Sequence, residues 1–162
     1  MHALPADAIR DSFVNVSLRE RKSILPPDDL TDHDWTLLDY LGWRDPKSPL
    51  LGYVVIPTDG GPVGVLLRQA EATPRSRAQC SWCEDTRLPN DVVFFAAKRA
   101  GDAGRKGDTL GTLVCAGFEC SVNVRRQAPL SYVGFDVEAE RQRRILSLRE
   151  RVTSFAERVR GA

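Results

Sequence analysis

Four cysteines stand in this sequence, as Cys80-x2-Cys83 and Cys115-x4-Cys120, and no others are present. A tight knuckle at the first pair and the start of a helix at the second supply four soft donors, the set that a tetrahedral zinc ion takes at about 2.3 Å from sulfur. With every position filled by cysteine, no coordination site remains for water or substrate, so the expected ion is structural. A thioredoxin-like redox pair needs its Cys-x-x-Cys on the strand-to-helix turn of a βαβ unit, whereas a hairpin pattern follows Cys83. Two disulfides suit a small secreted domain, but Met1 to Arg10 contains no basic segment leading into an apolar run. The expectation is a cytoplasmic chain that holds Zn2+ through Cys80, Cys83, Cys115 and Cys120.

Other catalytic constellations are missing. The histidines are His2 and His33, both outside the cysteine-bearing region, so a metal nuclease or a Ser-His-Asp arrangement finds no base there. Gly101-Asp-Ala-Gly-Arg-Lys-Gly-Asp-Thr109 lacks the G-x-x-x-x-G-K-[ST] order of a phosphate loop and leads into a strand-like run. Asp28, Asp29, Asp32 and Asp34 lack EF-hand spacing, and solvated carboxylates are the ordinary case. No enzymatic activity and no small-molecule substrate are expected.

The elements that position the cysteines follow from pattern. At 162 residues, 42% hydrophobic and 28% charged, the chain fits one globular domain, and no apolar run approaches the roughly 20 residues of a membrane helix. The expected class is α+β: a mixed sheet with flanking helices, a four-cysteine treble-clef finger and a terminal amphipathic helix. A helix is expected over Pro5 to Ser23, then a second short one capped by Thr31, carrying Trp35, Leu38 and Leu41 on one face and stopped by Gly42. Leu51 to Ile56 and Pro62 to Leu67, joined by Thr58-Asp59-Gly60-Gly61, read as a hairpin, and 70–79 as a loop. Asp91 to Ala97 and Thr109 to Cys115 form a long hairpin, and Cys115 to Arg126 leads into a short helix, so knuckle, hairpin and helix come in treble-clef order. Ile145, Leu148, Val152, Phe155 and Val159 step by three and four, a stripe expected to pack on the domain. Three parts result: 1–79, a finger at 80–126 and a helix at 137–160.

Net charge is only +1, which argues against a surface built wholly to coat nucleic acid. Charge is nevertheless uneven: six aspartates from Asp28 to Asp45 face Arg44 alone, while Glu138 to Arg160 holds seven arginines and four glutamates. The finger offers Trp82, Lys98, Arg99, Arg105, Lys106, Arg125 and Arg126. Cations beside a tetrathiolate ion stabilise its negative charge without any partner. Arg105 and Lys106, at the hairpin tip, project farthest and suit a contact surface. Trp82 has two uses open to it, covering the metal or anchoring an interface.

Phe13-Val-Asn15, Leu41-Gly-Trp-Arg-Asp-Pro-Lys47, Gly64-Val-x-Leu-Arg68, Cys80-Ser-Trp-Cys83, Ala97-x-Arg-Ala-Gly-x-Ala-Gly-Arg105, Gly111-Thr112 and Cys115-x4-Cys120-Ser-x-x-x-Arg125 together resemble the elongation factor G-binding treble-clef zinc-finger family of the FusB type. The resemblance covers nearly the whole chain. It implies a zinc finger that grips elongation factor G and promotes its release from stalled ribosomes, the basis of fusidic acid resistance in that family. It further implies that the four cysteines are the zinc ligands, that Trp82 stands for an aromatic knuckle residue, and that Lys106 stands for a hairpin lysine facing the factor. Family proteins carry a helical bundle ahead of this region, where one or two short helices are expected here. Direct RNA or ribosome binding through Arg99, Arg105, Lys106, Arg125, Arg126 and the arginines of 141–151 is the alternative, distinguished by its steep salt dependence.

Overall fold

The computed structural model describes residues 1–71, 78–85, 90–126 and 134–161. Two β-branched runs meeting at Asp59-Gly60 form strands β2 (Leu51–Thr58) and β3 (Gly61–Gln69), paired antiparallel from Leu51↔Arg68 to Thr58↔Gly61. Strand β1 (Leu41–Arg44) adds to β2, β4 (Val92–Lys98) adds to β3, and β5 (Thr109–Cys115) adds to β4, giving one five-stranded sheet in chain order. The α+β class holds. All strands pair antiparallel, and the parallel component expected of a mixed sheet is confined to the isolated bridge Phe13↔Gly64.

The central strands are apolar on both faces because both faces are covered. Val54, Ile56, Val65 and Leu67 pack with Leu148, Val152, Phe155 and Val159 of helix α5 (Val137–Arg160), and Tyr53, Val55 and Leu66 pack with Ile9, Phe13 and Ile24 of the N-terminal segment. The stripe on α5 is buried, each Leu or Val contributing about 1.5–3 kcal/mol relative to exposure. Asp136 caps its start by accepting from the Ala139 N–H at 2.9 Å, and Gly161, at φ 90°, ends it.

Three expected elements differ. The helix over Pro5 to Ser23 divides into α1 (Ala6–Asp11) and α2 (Leu18–Ser23), the second opened by a capping box between Ser17 and Glu20. The chain leaves the helix between them because the sheet competes for its backbone: Gly64 N–H donates to Ser12 O at 2.9 Å, and Val14 N–H donates to Gly64 O at 3.0 Å. Asn15 then bridges two strands. Its Oδ1 accepts from Leu66 N–H at 2.8 Å, and its Nδ2 donates to Leu66 O and Lys98 O, spanning the wedge between β3 and β4, which pair only at Arg68↔Ala96 and Gln69↔Phe95. The second expected helix is a single 3₁₀ turn, Trp35–Leu37, capped by Asp34 and not Thr31, while Leu41 and Gly42 belong to β1. The glycine-rich hairpin tip contains a short helix, α3 (Gly101–Arg105). The loop expected over 70–79 falls in part on 72–77, outside the described residues. Among the described residues no helix is long and apolar enough to cross a membrane.

One buried carboxylate joins the sheet to the two C-terminal helices. The Asp39 side chain is fully buried, accepting from Arg125 of α4 (Cys120–Arg125) and, at 2.8 Å, from Arg149 Nε of α5. Its backbone N–H donates to Ser121 Oγ at 3.0 Å. Removing the carboxylate strands two guanidiniums, so Asp39→Ala is expected to cost about 3 kcal/mol in denaturant unfolding, the lower end for a broken buried pair because Arg149 reaches solvent. Arg149→Ala, which leaves Asp39 paired with Arg125, is expected to cost about 1 kcal/mol.

Candidate metal centre

Cys80-Ser-Trp-Cys83 is a turn. The Glu84 N–H donates to Cys80 O at 3.0 Å, with Glu84 itself at φ 51°, and the Ser81 N–H donates to Leu113 O at 2.8 Å, seating the knuckle on the outer edge of β5. Cys115 ends β5 and Cys120 opens α4. Between them Phe118 sits at φ 63° and sends its ring across β1 and β2, where only glycine leaves room: a Cβ on Gly42 or Gly52 would meet that side chain at 2.6 or 2.5 Å. The ring stacks on Phe95 at 5.3 Å, and the Arg44 guanidinium lies 4.6 Å over Phe95 while its Nε donates to Ala116 O. The loop between the second pair of cysteines is thus clamped from the sheet side.

The four sulfurs converge within 4.8 Å of one another. Cys80 Sγ lies 3.6 Å from Cys120 Sγ, and Cys83 Sγ 3.7 Å from Cys115 Sγ. A tetrahedron with bonds of about 2.3 Å to sulfur has edges of about 3.8 Å, so the donors fit a tetrathiolate ion. All four residues are buried. Crowding splits their acidity: hydrogen bonds from Cys115 and Cys120 hold the Cys80 thiol far below its ordinary range, and those to Cys115 and Cys80 push the Cys120 thiol up. A divalent cation is the chemistry that lets the whole set ionise together.

Around the sulfurs the structure places groups that spacing did not reveal. Trp82 N–H points at Cys80 Sγ, 3.4 Å away, and Asn123 Nδ2 lies 3.5 Å from Cys115 Sγ. The Tyr40 hydroxyl donates to Phe118 O at 3.1 Å, and burial beside Cys120 pushes its own acidity well down, its pKa far above the ordinary phenol value. Arg151 of α5 donates to Trp82 O and pairs with Glu84 at 2.7 Å, while Arg144 pairs with Asp85 and donates to Asn123 O, both at 3.0 Å. The cations that brace this centre therefore come from α5. The i, i+3 spacing of Cys120 and Asn123 on a helix, with a polar residue between Val122 and Val124, was the available signal for Asn123.

The expected surface residues separate. Trp82 is only 2% exposed, its ring edge-on to Tyr40 at 5.2 Å and tilted against Phe155 at 5.5 Å. This corrects its use as an interfacial anchor: the indole fills the core beneath the knuckle. Arg125 is held by Asp39 and by Ser121 O, and Arg126 ends α4, its carbonyl accepting from Arg144. Arg105 and Lys106 are exposed on the hairpin tip, Arg105 paired with Asp102 of the same short helix. Phe94, 41% exposed on β4, lies across Gly111 of β5 and was not singled out from the sequence. His33 is away from the cysteines, its Nδ1 3.0 Å from Asp29 O.

The model of the family described as FBP C-terminal treble-clef zinc-finger matches residues 8–159. The solved structure of the fusidic acid resistance protein FusC is similar with a TM-score of 0.56 and 19% identity over 76% of this chain, which spans 53% of the FusC chain. No curated protein sequence matches.

Metal analysis of the purified protein is expected to find one equivalent of bound ion per chain. Cys120→Ser, which removes one of four donors from a fully buried set, should lose that ion and shift the cooperative unfolding transition to lower temperature. A metal-free protein with unchanged stability would contradict the site.

Proposed function

Because the chain belongs to the FBP C-terminal treble-clef zinc-finger family, we propose that it is a non-enzymatic binding protein whose structural zinc ion, held by Cys80, Cys83, Cys115 and Cys120, stiffens a surface that binds elongation factor G in the cytoplasm. The family match over residues 8–159 is the observation that carries this. Four cysteine donors close the coordination shell, which suits a structural ion. Elongation factor G as the partner, and its release from the ribosome as the consequence, follow from the resemblance to FusB-type proteins.

The exposed end of the β4–β5 hairpin supports the assignment of the contact surface. Lys106 and Arg105 stand free of the core there, and Phe94 adds an exposed aromatic on the same hairpin. Exposed cations at the tip and an exposed aromatic ring farther back on the same hairpin, where Phe94 pairs with Leu113, suit an acidic protein surface, because the ring supplies buried area and the charges steer encounter. Arg126 lies at the margin. Trp82 and Arg125 act from within, one by filling the core under the knuckle and the other by pairing with Asp39.

RNA binding is the less supported alternative. Along α5, Arg144, Arg149 and Arg151 are paired with Asp85, Asp39 and Glu84 from outside the helix, so three arginines of that face are tied to the protein itself. Phosphate contacts need cations free to displace counterions.

Calorimetric titration of the zinc-loaded protein into elongation factor G tests the proposal. Saturable binding that survives raised salt is expected, and Lys106→Glu should weaken it about 10-fold, roughly 1.4 kcal/mol, with zinc content and melting temperature unchanged. Absence of binding, accompanied by tight salt-sensitive binding to ribosomal RNA, would transfer the function to nucleic acid.

A further inference from the structure

Asn123 is a polar side chain in an apolar place. It is 0% exposed on α4, one turn after Cys120, and its Nδ2 lies 3.5 Å from Cys115 Sγ and 3.9 Å from Cys83 Sγ, one sulfur from each cysteine pair. Among the described residues its Oδ1 is buried with no hydrogen-bond partner. A buried carbonyl oxygen left unpaired costs about 1–3 kcal/mol, and a leucine of similar shape would avoid that cost. Turning the amide over would aim the oxygen lone pairs at the sulfurs and leave two N–H donors orphaned, which is worse on both counts when the sulfurs are anionic. The side chain is therefore oriented by its donors.

The backbone of the same residue makes a second link. Asn123 O accepts from Arg144 of α5 at 3.0 Å, and that guanidinium also pairs with Asp85, two residues beyond Cys83. We propose that Asn123 is a positioning residue for the metal centre. Its amide donates N–H···S hydrogen bonds across both ligand pairs, drawing charge off the thiolates, while its carbonyl fastens α5 over the site. This rests on the metal assignment made above. Loss of such a donor leaves the four sulfurs in place but makes the metal easier to displace from them.

The decisive measurement uses the wild-type protein loaded with cadmium-113. Scalar coupling from the metal to the Asn123 side-chain amide protons, transmitted through the N–H···S bond, is expected alongside coupling to the Trp82 backbone amide. Cadmium bound by four sulfurs with no coupling at Asn123 would overturn this inference alone. Failure of cadmium to enter a four-sulfur site would overturn the metal assignment and this inference with it. As a second readout, Asn123→Leu should release zinc to a chelator about 10- to 100-fold faster than wild type. Asn123→Asp, which sets a carboxylate against the thiolates, should be faster still. A release rate unchanged in Asn123→Leu would also overturn the proposal, and if that variant does not fold, the cadmium coupling in the wild-type protein decides.

Discussion

A divalent ion surrounded by four thiolates carries a net charge of about −2 into the protein interior, and the structure is arranged to tolerate it. Such charge is costly in a low-dielectric medium unless donors and cations surround it. Here the Trp82 N–H and the Asn123 amide point at the sulfurs, and Arg144 and Arg151 stand beyond them on α5, hooked to backbone carbonyls of α4 and the knuckle. Trp82 and Phe118, next to or between the ligands in sequence, are themselves buried, one against Tyr40 and Phe155 and the other against Phe95. Knuckle, sheet and two helices meet at one point because each contributes a different part of that compensation.

The same demand decides which charges are available for anything else. Guanidiniums spent on Asp39, Asp85 and Glu84 act as internal fasteners, with Arg125 and Arg144 mostly buried by that duty and Arg149 still reaching solvent. An arginine-rich helix can thus look like a nucleic-acid surface in sequence and be an intramolecular brace in the fold. The hairpin tip, carried on β4 and β5 away from the cysteines, keeps its cations outward because no buried acid claims them.

Much of this was legible in the residues themselves. The cysteine spacing located the donor set, the stepped stripe from Ile145 to Val159 located α5, and the Asp59-Gly60 turn located the first hairpin, since each rests on local covalent reach or a simple period. The failures share one cause. Phe13 to Asn15 leave the helical pattern because Gly64, some fifty residues later, offers a better backbone partner, and Leu41-Gly42 form a strand because they pair with Val55 and Val54 of β2. Long-range pairing overrode local pattern in both cases. Trp82 was ambiguous because an aromatic residue inside a knuckle can face either way, and only the positions of Tyr40 and Phe155 decide.

The fasteners on α5 also set an order of assembly. Neighbouring strands of the meander are joined through adjacent stretches of chain, so the sheet can zip up strand by strand. The α5 contacts span far more: Arg144 reaches back 59 residues to Asp85, Arg151 67 to Glu84 and Arg149 110 to Asp39. Closing such separations is slow relative to hairpin formation. Until α5 docks, Arg144 and Arg151 are absent from the cysteine centre, so the knuckle and α4 gain their bracing cations late in folding.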